Sequence, residues 1–264
     1  MKKIFAISDI HGFYDETIQA LNKAGYDENN ENHLLIVLGD IFDRGNDALK
    51  IFDWLYRLTK EGKAIVTKGN HDEFLINFLE GNDSSFNYTH NGLKTTIADF
   101  WHRTSPFESW CMIDELCEMN LDNFIRWSNI CRKDILEEYP ELLNWLKSLP
   151  DYYETEKYIF THGSIDTKVN NWKFPTKSIY HYDGWSACHW DDGSFFGEAI
   201  CNTDKIVVVG HFGTDHLRKK YEIDDDKKYN FDILIRNDGR IIAIDATTAI
   251  SKQVNVLEIE DNLI

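Results

Sequence analysis

The sequence is poor in cysteine, in proline and in long apolar runs, and each shortage excludes a class of protein. The 5 cysteines are an odd number and lie scattered without a Cys-x-x-Cys pair, which argues against a disulfide framework and against a thiolate zinc site. No run approaches the ~18 apolar residues of a membrane span. The apolar run after Lys3 ends at Ser8, short of the roughly 7–15 residues that form a signal-peptide core. We therefore expect a cytoplasmic protein with reduced thiols.

Basic residues are also scarce. The chain has 28 lysines and arginines against 45 aspartates and glutamates, for a net charge of −17. Binding to a nucleic-acid polymer or to an anionic membrane surface needs a basic footprint, so we expect neither as a partner. Hydrophobic residues still make up 42% of the 264 residues, enough to bury a core and to exclude a disordered acidic chain. With 4 prolines and no Gly/Ser-rich linker, we predict a single domain over residues 1–264.

The first 80 residues alternate between short apolar runs and amphipathic segments. The pattern predicts strands at residues 3–8, 33–38 and 64–67, and helices at 15–24, 47–59 and 72–79. Repeated strand–loop–helix units are typical of a mostly parallel sheet with crossover helices. The sequence therefore predicts an α/β fold.

The rest of the chain divides into two parts. Residues 84–150 lack a clear strand signal and carry Trp, Leu and Ile at helical spacing, which predicts a helical insertion. Beyond it, the pattern predicts hairpins at 152–161 and 231–245, a strand at 205–209 and a last strand at 252–259.

Five predicted strands end in chemically similar residues, each beside a glycine. In parallel sheets ligands bind beyond the carboxyl ends of the strands, so we expect these five loops to meet in one cleft. In chain order they are Asp9-x-His11-Gly12, Gly39-Asp40-x-x-Asp43-Arg44-Gly45, Gly69-Asn70-His71-Asp72, His162-Gly163 and Gly210-His211.

Six of these side chains offer oxygen or imidazole nitrogen, and none offers a thiolate: Asp9, His11, Asp40, Asn70, His162 and His211. Such mixed ligands suit manganese, iron, zinc or cobalt. Six ligands are too many for one tetrahedral ion but suffice for two ions that share a carboxylate. Two ions roughly 3.5–4 Å apart are the usual device for displacement at phosphorus. We predict a site for two divalent ions, with manganese favoured over iron, zinc or cobalt.

In their order and spacing, these blocks resemble the calcineurin-like metallophosphoesterase superfamily. The Asp43-Arg44-Gly45 ending resembles more narrowly the phosphoprotein phosphatases of the serine/threonine type, in their short bacterial and phage form. The resemblance is dense over residues 3–80 and looser over 157–247. It implies a β-sandwich flanked by helices, with four αββα layers.

The resemblance also implies roles for single residues. Asp9 and His11 would hold the first metal, Asp40 would bridge, and a hydroxide between the two ions would attack phosphorus. His71 would protonate the leaving oxygen, with Asp43 orienting it, and Arg44 would grip phosphate oxygens. The second metal would be held by Asn70, His162 and His211.

Three departures from the family pattern bear on this assignment. Asp72 stands where the protein phosphatases usually carry Glu, and Phe212-Gly213 follows His211 where Thr-Pro is usual. The family's second phosphate-binding arginine has no counterpart near Trp185. We expect His189 to take its place as a substrate-binding cation, and we expect Asp245 to be structural.

The leading hypothesis is a metal-dependent phosphatase that cleaves phosphomonoesters, with phosphoserine or phosphothreonine on proteins as the expected substrate. The first alternative is a symmetric dinucleoside tetraphosphate hydrolase or another nucleotide phosphohydrolase. Asn70-His71-Asp72 favours this alternative, whereas Asp43 argues against it because such enzymes usually lack that aspartate. A non-catalytic scaffold is disfavoured, since all six ligands, His71 and Asp43 are present. The sequence carries no signal for an oligomeric state or for the role of residues 84–150.

Overall fold

Two mixed β-sheets form the centre of the protein in the computed structural model, which describes residues 2–82, 85–102, 121–165, 172–173, 186–190, 203–223, 229–236 and 239–263. In the first sheet the strands stand in the order β3-β2-β1-β9. Strands β1 (Lys2–Ser8), β2 (His33–Leu38) and β3 (Ala64–Thr67) are parallel, as predicted. The last strand, β9 (Leu257–Asp261), runs antiparallel beside β1.

The second sheet has the order β4-β5-β6-β8-β7. Its three inner strands are parallel, and an antiparallel strand closes each edge. Both predicted hairpins are confirmed as the pairs β4–β5 and β7–β8, although residues 237–238 of the second turn lie outside the described part. The strands are β4 (Tyr152–Glu154), β5 (Tyr158–Thr161), β6 (Ile206–Val209), β7 (Leu234–Arg236) and β8 (Ile241–Ala243).

Side chains that alternate along the strands build separate cores on the two faces of each sheet. On β1, Ile4 packs between the sheets with Val208 of β6, whereas Phe5 packs on the outer face. On β6, the neighbour Val207 packs outward against Leu217. This two-residue period gives each sheet one face toward its partner and one toward helices. The predicted order of four αββα layers is thereby confirmed.

Three helices follow the first three strands. They are α1 (Tyr14–Lys23), α2 (Ala48–Lys60) and α3 (Asn70–Glu80). Helix α3 begins two residues earlier than predicted, because Gly69 serves as its N-cap and the Asp72 carboxylate accepts the Gly69 N–H. Asn70 and His71 therefore lie in the first helical turn and not in a loop.

The predicted helical insertion is also present within the described residues. It contains α4 (Ser85–His90), α5 (Leu93–His102), α6 (Leu121–Glu138) and α7 (Leu142–Ser148). Aromatic rings join it to α2: the Phe52 ring centroid lies 5.9 Å from Phe100 and 5.5 Å from Trp145. The insertion thus extends the core on the outer face of the first sheet.

Three short helices complete the described elements: α8 (Ser186–Trp190), α9 (Thr214–Lys220) and α10 (Thr248–Ser251). Helix α9 covers the outer face of the second sheet through Leu217. Among the residues described, no helix has both the length and the apolar character needed to cross a membrane.

Candidate metal centre and active site

The loops that follow β1, β2, β3, β5 and β6 converge at one end of the two sheets, as predicted. Their backbone is unusual, since six non-glycine residues in these loops have positive φ: Asp9 (52°), His11 (45°), Asp40 (50°), Asp43 (72°), Arg44 (68°) and His211 (65°). Such conformations cost about 1–3 kcal/mol each and persist where the surroundings enforce them, as functional sites do. The strain in this fold is therefore concentrated where the sequence predicts chemistry.

Glycines allow these loops to touch one another. A Cβ on Gly39 would lie 2.6 Å from the Cα atom of Gly69, and a Cβ on Gly210 would collide with the Asp9 carboxylate. The loops after β2 and β3 can approach this closely only without side chains. Gly39 and Gly210 are thus required by packing around the candidate ligands.

One group of possible metal ligands contains His11, Asp40 and His71. The Nδ1 atom of His11 lies 2.8 Å from the Phe42 carbonyl oxygen, so it donates its proton there. The Nε2 atom therefore presents a lone pair to the site, 3.6 Å from Asp40 Oδ2. Arg44 donates to the Nε2 atoms of His11 and His71 over 2.7 and 3.0 Å. A cationic group thus already lies against both imidazole lone pairs.

A second group contains Asp40, His162 and His211. His162 donates from Nδ1 to the Leu38 carbonyl oxygen over 2.9 Å, so its Nε2 atom faces inward without a proton. Around that lone pair lie Asn70 Oδ1 at 3.0 Å, His211 Nδ1 at 3.1 Å and Asp40 Oδ1 at 3.3 Å. Lone pairs and a carboxylate that converge without a proton between them repel one another unless a cation binds among them.

The protonation states of these residues fit metal ions. Burial lowers the pKa of His11, His162 and His211, in the last case to about 3 with help from His162. Burial raises the pKa of Asp40, but the imidazoles of His162 and His71 outweigh it and hold that pKa well below its usual range. Neutral imidazoles and an ionised carboxylate are the forms that bind metals. Because Asp40 belongs to both groups, the donors fit a site for two ions, and they leave the identity of the metal open.

Asp9 lies at the edge of this centre. Both of its carboxylate oxygens accept the main-chain N–H of His211, over 3.2 and 3.0 Å. Burial, together with Asp245 and Asp40, raises the pKa of Asp9 well above its usual value. A divalent ion would offset this crowding of carboxylates. Its assignment to the first metal stays a prediction, because it is His71 that completes the compact group with His11 and Asp40.

His71 and Asp43 form a buried pair beside the metal centre. Nδ1 of His71 lies 2.7 Å from Asp43 Oδ2, which leaves Nε2 directed toward Arg44 and Asp40. Burial lowers the pKa of His71, but the carboxylates of Asp40 and Asp43 outweigh it and raise the pKa overall. This is the arrangement of a histidine that is oriented by a carboxylate at one nitrogen and can transfer a proton at the other.

Asp72 departs from the Glu that is usual in the protein phosphatases, and in the structure its carboxylate connects two loops of the site. Its carboxylate accepts the main-chain N–H groups of Gly69, Asp40 and Ile41, over 2.8, 3.0 and 3.2 Å. It therefore ties the loop after β2 to the start of α3. Asp72 is the third residue of the helix that begins at Asn70, the position from which a capping-box side chain accepts the N-cap N–H.

Two further residues were missed or given another role. The Thr96 hydroxyl, on α5 of the insertion, donates to Asp43 over 2.7 Å, and nothing in the sequence marks it because 53 residues separate the two. The ring nitrogens of His189 lie 2.7 Å from Glu73 Oε1 and 2.9 Å from Asp151 Oδ1. Both nitrogens are taken by carboxylates, so neither faces a substrate in this structure.

The chain was compared with family models, with individual protein sequences and with solved structures. A family model described as calcineurin-like phosphoesterase matches residues 2–243. The asymmetrical bis(5'-nucleosyl)-tetraphosphatase PrpE of Oceanobacillus iheyensis is 36% identical over 104 residues, 37% of this chain and 40% of that protein. The match thus spans less than half of that relative. The symmetrical bis(5'-nucleosyl)-tetraphosphatase of Buchnera aphidicola subsp. Baizongia pistaciae is 24% identical over 248 residues, 80% of this chain and 84% of that protein.

Among solved structures, the cold-active protein-tyrosine phosphatase of a Shewanella species superposes with a TM-score of 0.56 at 16% identity, over 99% of this chain and 76% of that one. At this identity the likeness concerns the fold alone. The family model, in contrast, covers nearly the whole chain and includes all the strand-end blocks. The two groups of His and Asp side chains that could hold metal ions agree with that match, and this chain belongs to the calcineurin-like phosphoesterase family.

Proposed function

We propose that this protein hydrolyses bis(5'-nucleosyl) tetraphosphates. The observation that carries the proposal is the pairing of a two-ion donor site with relatives that are bis(5'-nucleosyl)-tetraphosphatases of both the asymmetrical and the symmetrical kind. These relatives favour the nucleotide-hydrolase alternative over a phosphoprotein substrate, which was the leading hypothesis from the sequence.

Asp40 belongs to both groups of candidate ligands and would contribute to the binding of both ions. His11 and Asp9 would hold one ion, and Asn70, His162 and His211 the other. When bound, divalent ions supply positive charge for the phosphate oxygens and lower the pKa of water enough to make it a nucleophile near neutral pH. This local charge also explains how a chain of net charge −17 accepts an anionic substrate.

The other polar groups act on the substrate around that centre. Arg44 can leave its contacts with the histidines and grip phosphate oxygens through its planar fork. Once Arg44 has turned to the phosphate, His71 can carry a proton at Nε2 for the leaving oxygen, while Asp43 fixes the ring at Nδ1 and stabilises its charged form. Water adds at phosphorus, one P–O bond of the polyphosphate breaks, and two nucleotides leave.

A phosphomonoester of serine or threonine is the second candidate substrate, and the Asp43–His71 pair favours it. An alkoxide is a poor leaving group and needs a proton, whereas a nucleoside phosphate leaves with less help. A buried carboxylate–histidine pair is therefore more useful against the phosphomonoester.

The test offers the manganese-loaded enzyme diadenosine tetraphosphate and a phosphothreonine peptide in parallel. We expect a higher kcat/KM for the dinucleotide, and a clear preference for the peptide would overturn the proposal. Chromatography of the products shows whether cleavage gives two molecules of ADP or ATP and AMP. The variant Asp40→Asn serves as control, since removal of the shared carboxylate should abolish both activities if they belong to this site.

A further inference from the structure

Helix α5 of the insertion contacts the loop that carries Asp43 and Arg44 at three points. The Gly92 carbonyl oxygen, just before the helix, accepts the Arg44 N–H over 3.4 Å. Thr96 bonds to Asp43, and Asp99 Oδ2 accepts the Leu49 N–H in the first turn of α2 over 2.8 Å. These contacts follow one face of α5 at spacings of three and four residues. The insertion thus holds the loop at Asp43 and Arg44 and holds the start of α2 at Leu49.

The contact with Asp43 differs from the other two because it reaches a group in the active site. The Thr96 hydroxyl donates to Asp43 Oδ1 over 2.7 Å and accepts the Asp43 main-chain N–H over 2.8 Å. Thr96 and Asp43 are both fully buried. With Oδ1 on Thr96 and Oδ2 on His71, the carboxylate is fixed at both oxygens.

The backbone of Asp43 needs such support. Its φ is 72°, in the left-handed region that a non-glycine residue rarely adopts. Removal of the Thr96 hydroxyl would leave a buried N–H and a buried carboxylate oxygen without this partner, which costs far more than the loss of an exposed hydrogen bond. The carboxylate would then rotate or its loop would relax, and the His71 ring would lose its orientation.

We propose that Thr96 is a positioning residue for proton transfer, which acts through Asp43 on His71 and makes the helical insertion part of the catalytic apparatus. This inference rests on the proposed roles of His71 and Asp43, but it does not depend on which phosphate ester is the natural substrate. It also gives the otherwise unassigned residues 85–102 a function.

The experiment compares Thr96→Val, which removes the hydroxyl at nearly equal volume, with Thr96→Ser, which retains it. The substrates are phenyl phosphate, whose leaving group needs a proton, and p-nitrophenyl phosphate, whose leaving group needs little. We expect T96V to lower kcat on phenyl phosphate about 10- to 100-fold, the usual cost of losing a partner in a carboxylate–histidine arrangement. The loss on p-nitrophenyl phosphate should be several times smaller, and T96S should recover most of the activity.

Thr95→Val is the matched control, because the Thr95 hydroxyl lies on the same helix but bonds to the Gly92 carbonyl oxygen. Elemental analysis and thermal unfolding check that each variant is folded and binds two ions. If T96V does not fold, Thr96→Ala replaces it. Equal losses on both substrates, or equal losses in T95V and T96V, would overturn the proposal.

A double-mutant cycle with His71→Asn separates this inference from the proposed function. If Thr96 acts through His71, T96V should cause no further loss of kcat on phenyl phosphate in the H71N background. If H71N lowers kcat equally on phenyl phosphate and p-nitrophenyl phosphate, the proposed role of His71 fails. If H71N lowers kcat more on phenyl phosphate but T96V does not, only the role of Thr96 fails.

Discussion

His71 and His189 are equally buried and both bond to carboxylates, yet the two regions differ in what the second ring nitrogen meets. His71 is 4% exposed and His189 is 3% exposed. One ring nitrogen of His71 bonds to Asp43, and the other faces the candidate metal centre. Both ring nitrogens of His189 bond to carboxylates, those of Glu73 and Asp151. Burial beside a carboxylate is therefore not enough to assign a histidine to proton transfer; the proposed role of His71 rests on the ring nitrogen that faces the candidate metal ligands.

The residues around His189 instead connect helix α8 to helix α3 and to the candidate ligand His211. The Trp190 indole donates to Glu73 Oε2 over 2.9 Å, and the main chain of Trp190 hydrogen-bonds the His211 ring. Glu73 lies on α3, which also carries His71. The cluster therefore joins α8 to the helix that provides the candidate proton donor, and we interpret it as structural.

The largest expected effect comes from His71→Asn. Loss of a general acid costs about 10²- to 10⁴-fold in rate, and the cost should appear in kcat on substrates with poor leaving groups. It should shrink on p-nitrophenyl phosphate, so a series of aryl phosphates would give a steeper dependence of kcat on the leaving-group pKa. An unchanged slope would contradict the role of His71 as proton donor and would indicate a structural role, as for His189.

Asp43→Asn should have a smaller effect, since Asn keeps the shape but loses the charge that stabilises protonated His71. We expect kcat on phenyl phosphate to fall about 10- to 100-fold. Steady-state kinetics on the metal-loaded variant measures the loss, and the metal content should stay at the wild-type level. A loss of metal in place of kcat would show that Asp43 supports ligands and not the proton donor.

His189→Gln should affect stability more than turnover. Burial opposes the charged form of His189, but Asp151 and Glu73 outweigh it and raise its pKa to about 9. A pKa above the unfolded value of about 6.5 stabilises the fold fully below that pH, and the contribution disappears as pH rises toward 9. The shift corresponds to roughly 3 kcal/mol.

Urea unfolding of both proteins between pH 6 and pH 10 would test this. We expect the wild type to lose stability relative to H189Q as pH rises through the window from about 6.5 to 9. The KM of H189Q for the substrate tests the competing hypothesis that His189 binds phosphate. A raised KM with no change in the pH dependence of unfolding would restore His189 as the phosphate-binding cation that the sequence predicted.

The parts of the fold that were predictable follow from local patterns. The apolar runs at β1, β2 and β3 and the hairpins β4–β5 and β7–β8 are visible because strand burial and turn residues are encoded in neighbouring positions. Helix α3 begins two residues before its predicted start, because Asp40 Oδ1, from the loop after β2, accepts the His71 N–H in its first turn. Such bonds leave no periodic signal.

The sequence by itself determined which donor atoms stand at the strand ends, because the order of strands and glycines forces Asp9, Asp40 and His162 to one edge of the two sheets. Only the tertiary structure decided what each donor does. The inward nitrogen of His162 is set by a carbonyl 124 residues away at Leu38, and the partners of His189 lie 38 and 116 residues away. A ring nitrogen is free or occupied according to packing between distant segments, and residue type and spacing do not specify that packing.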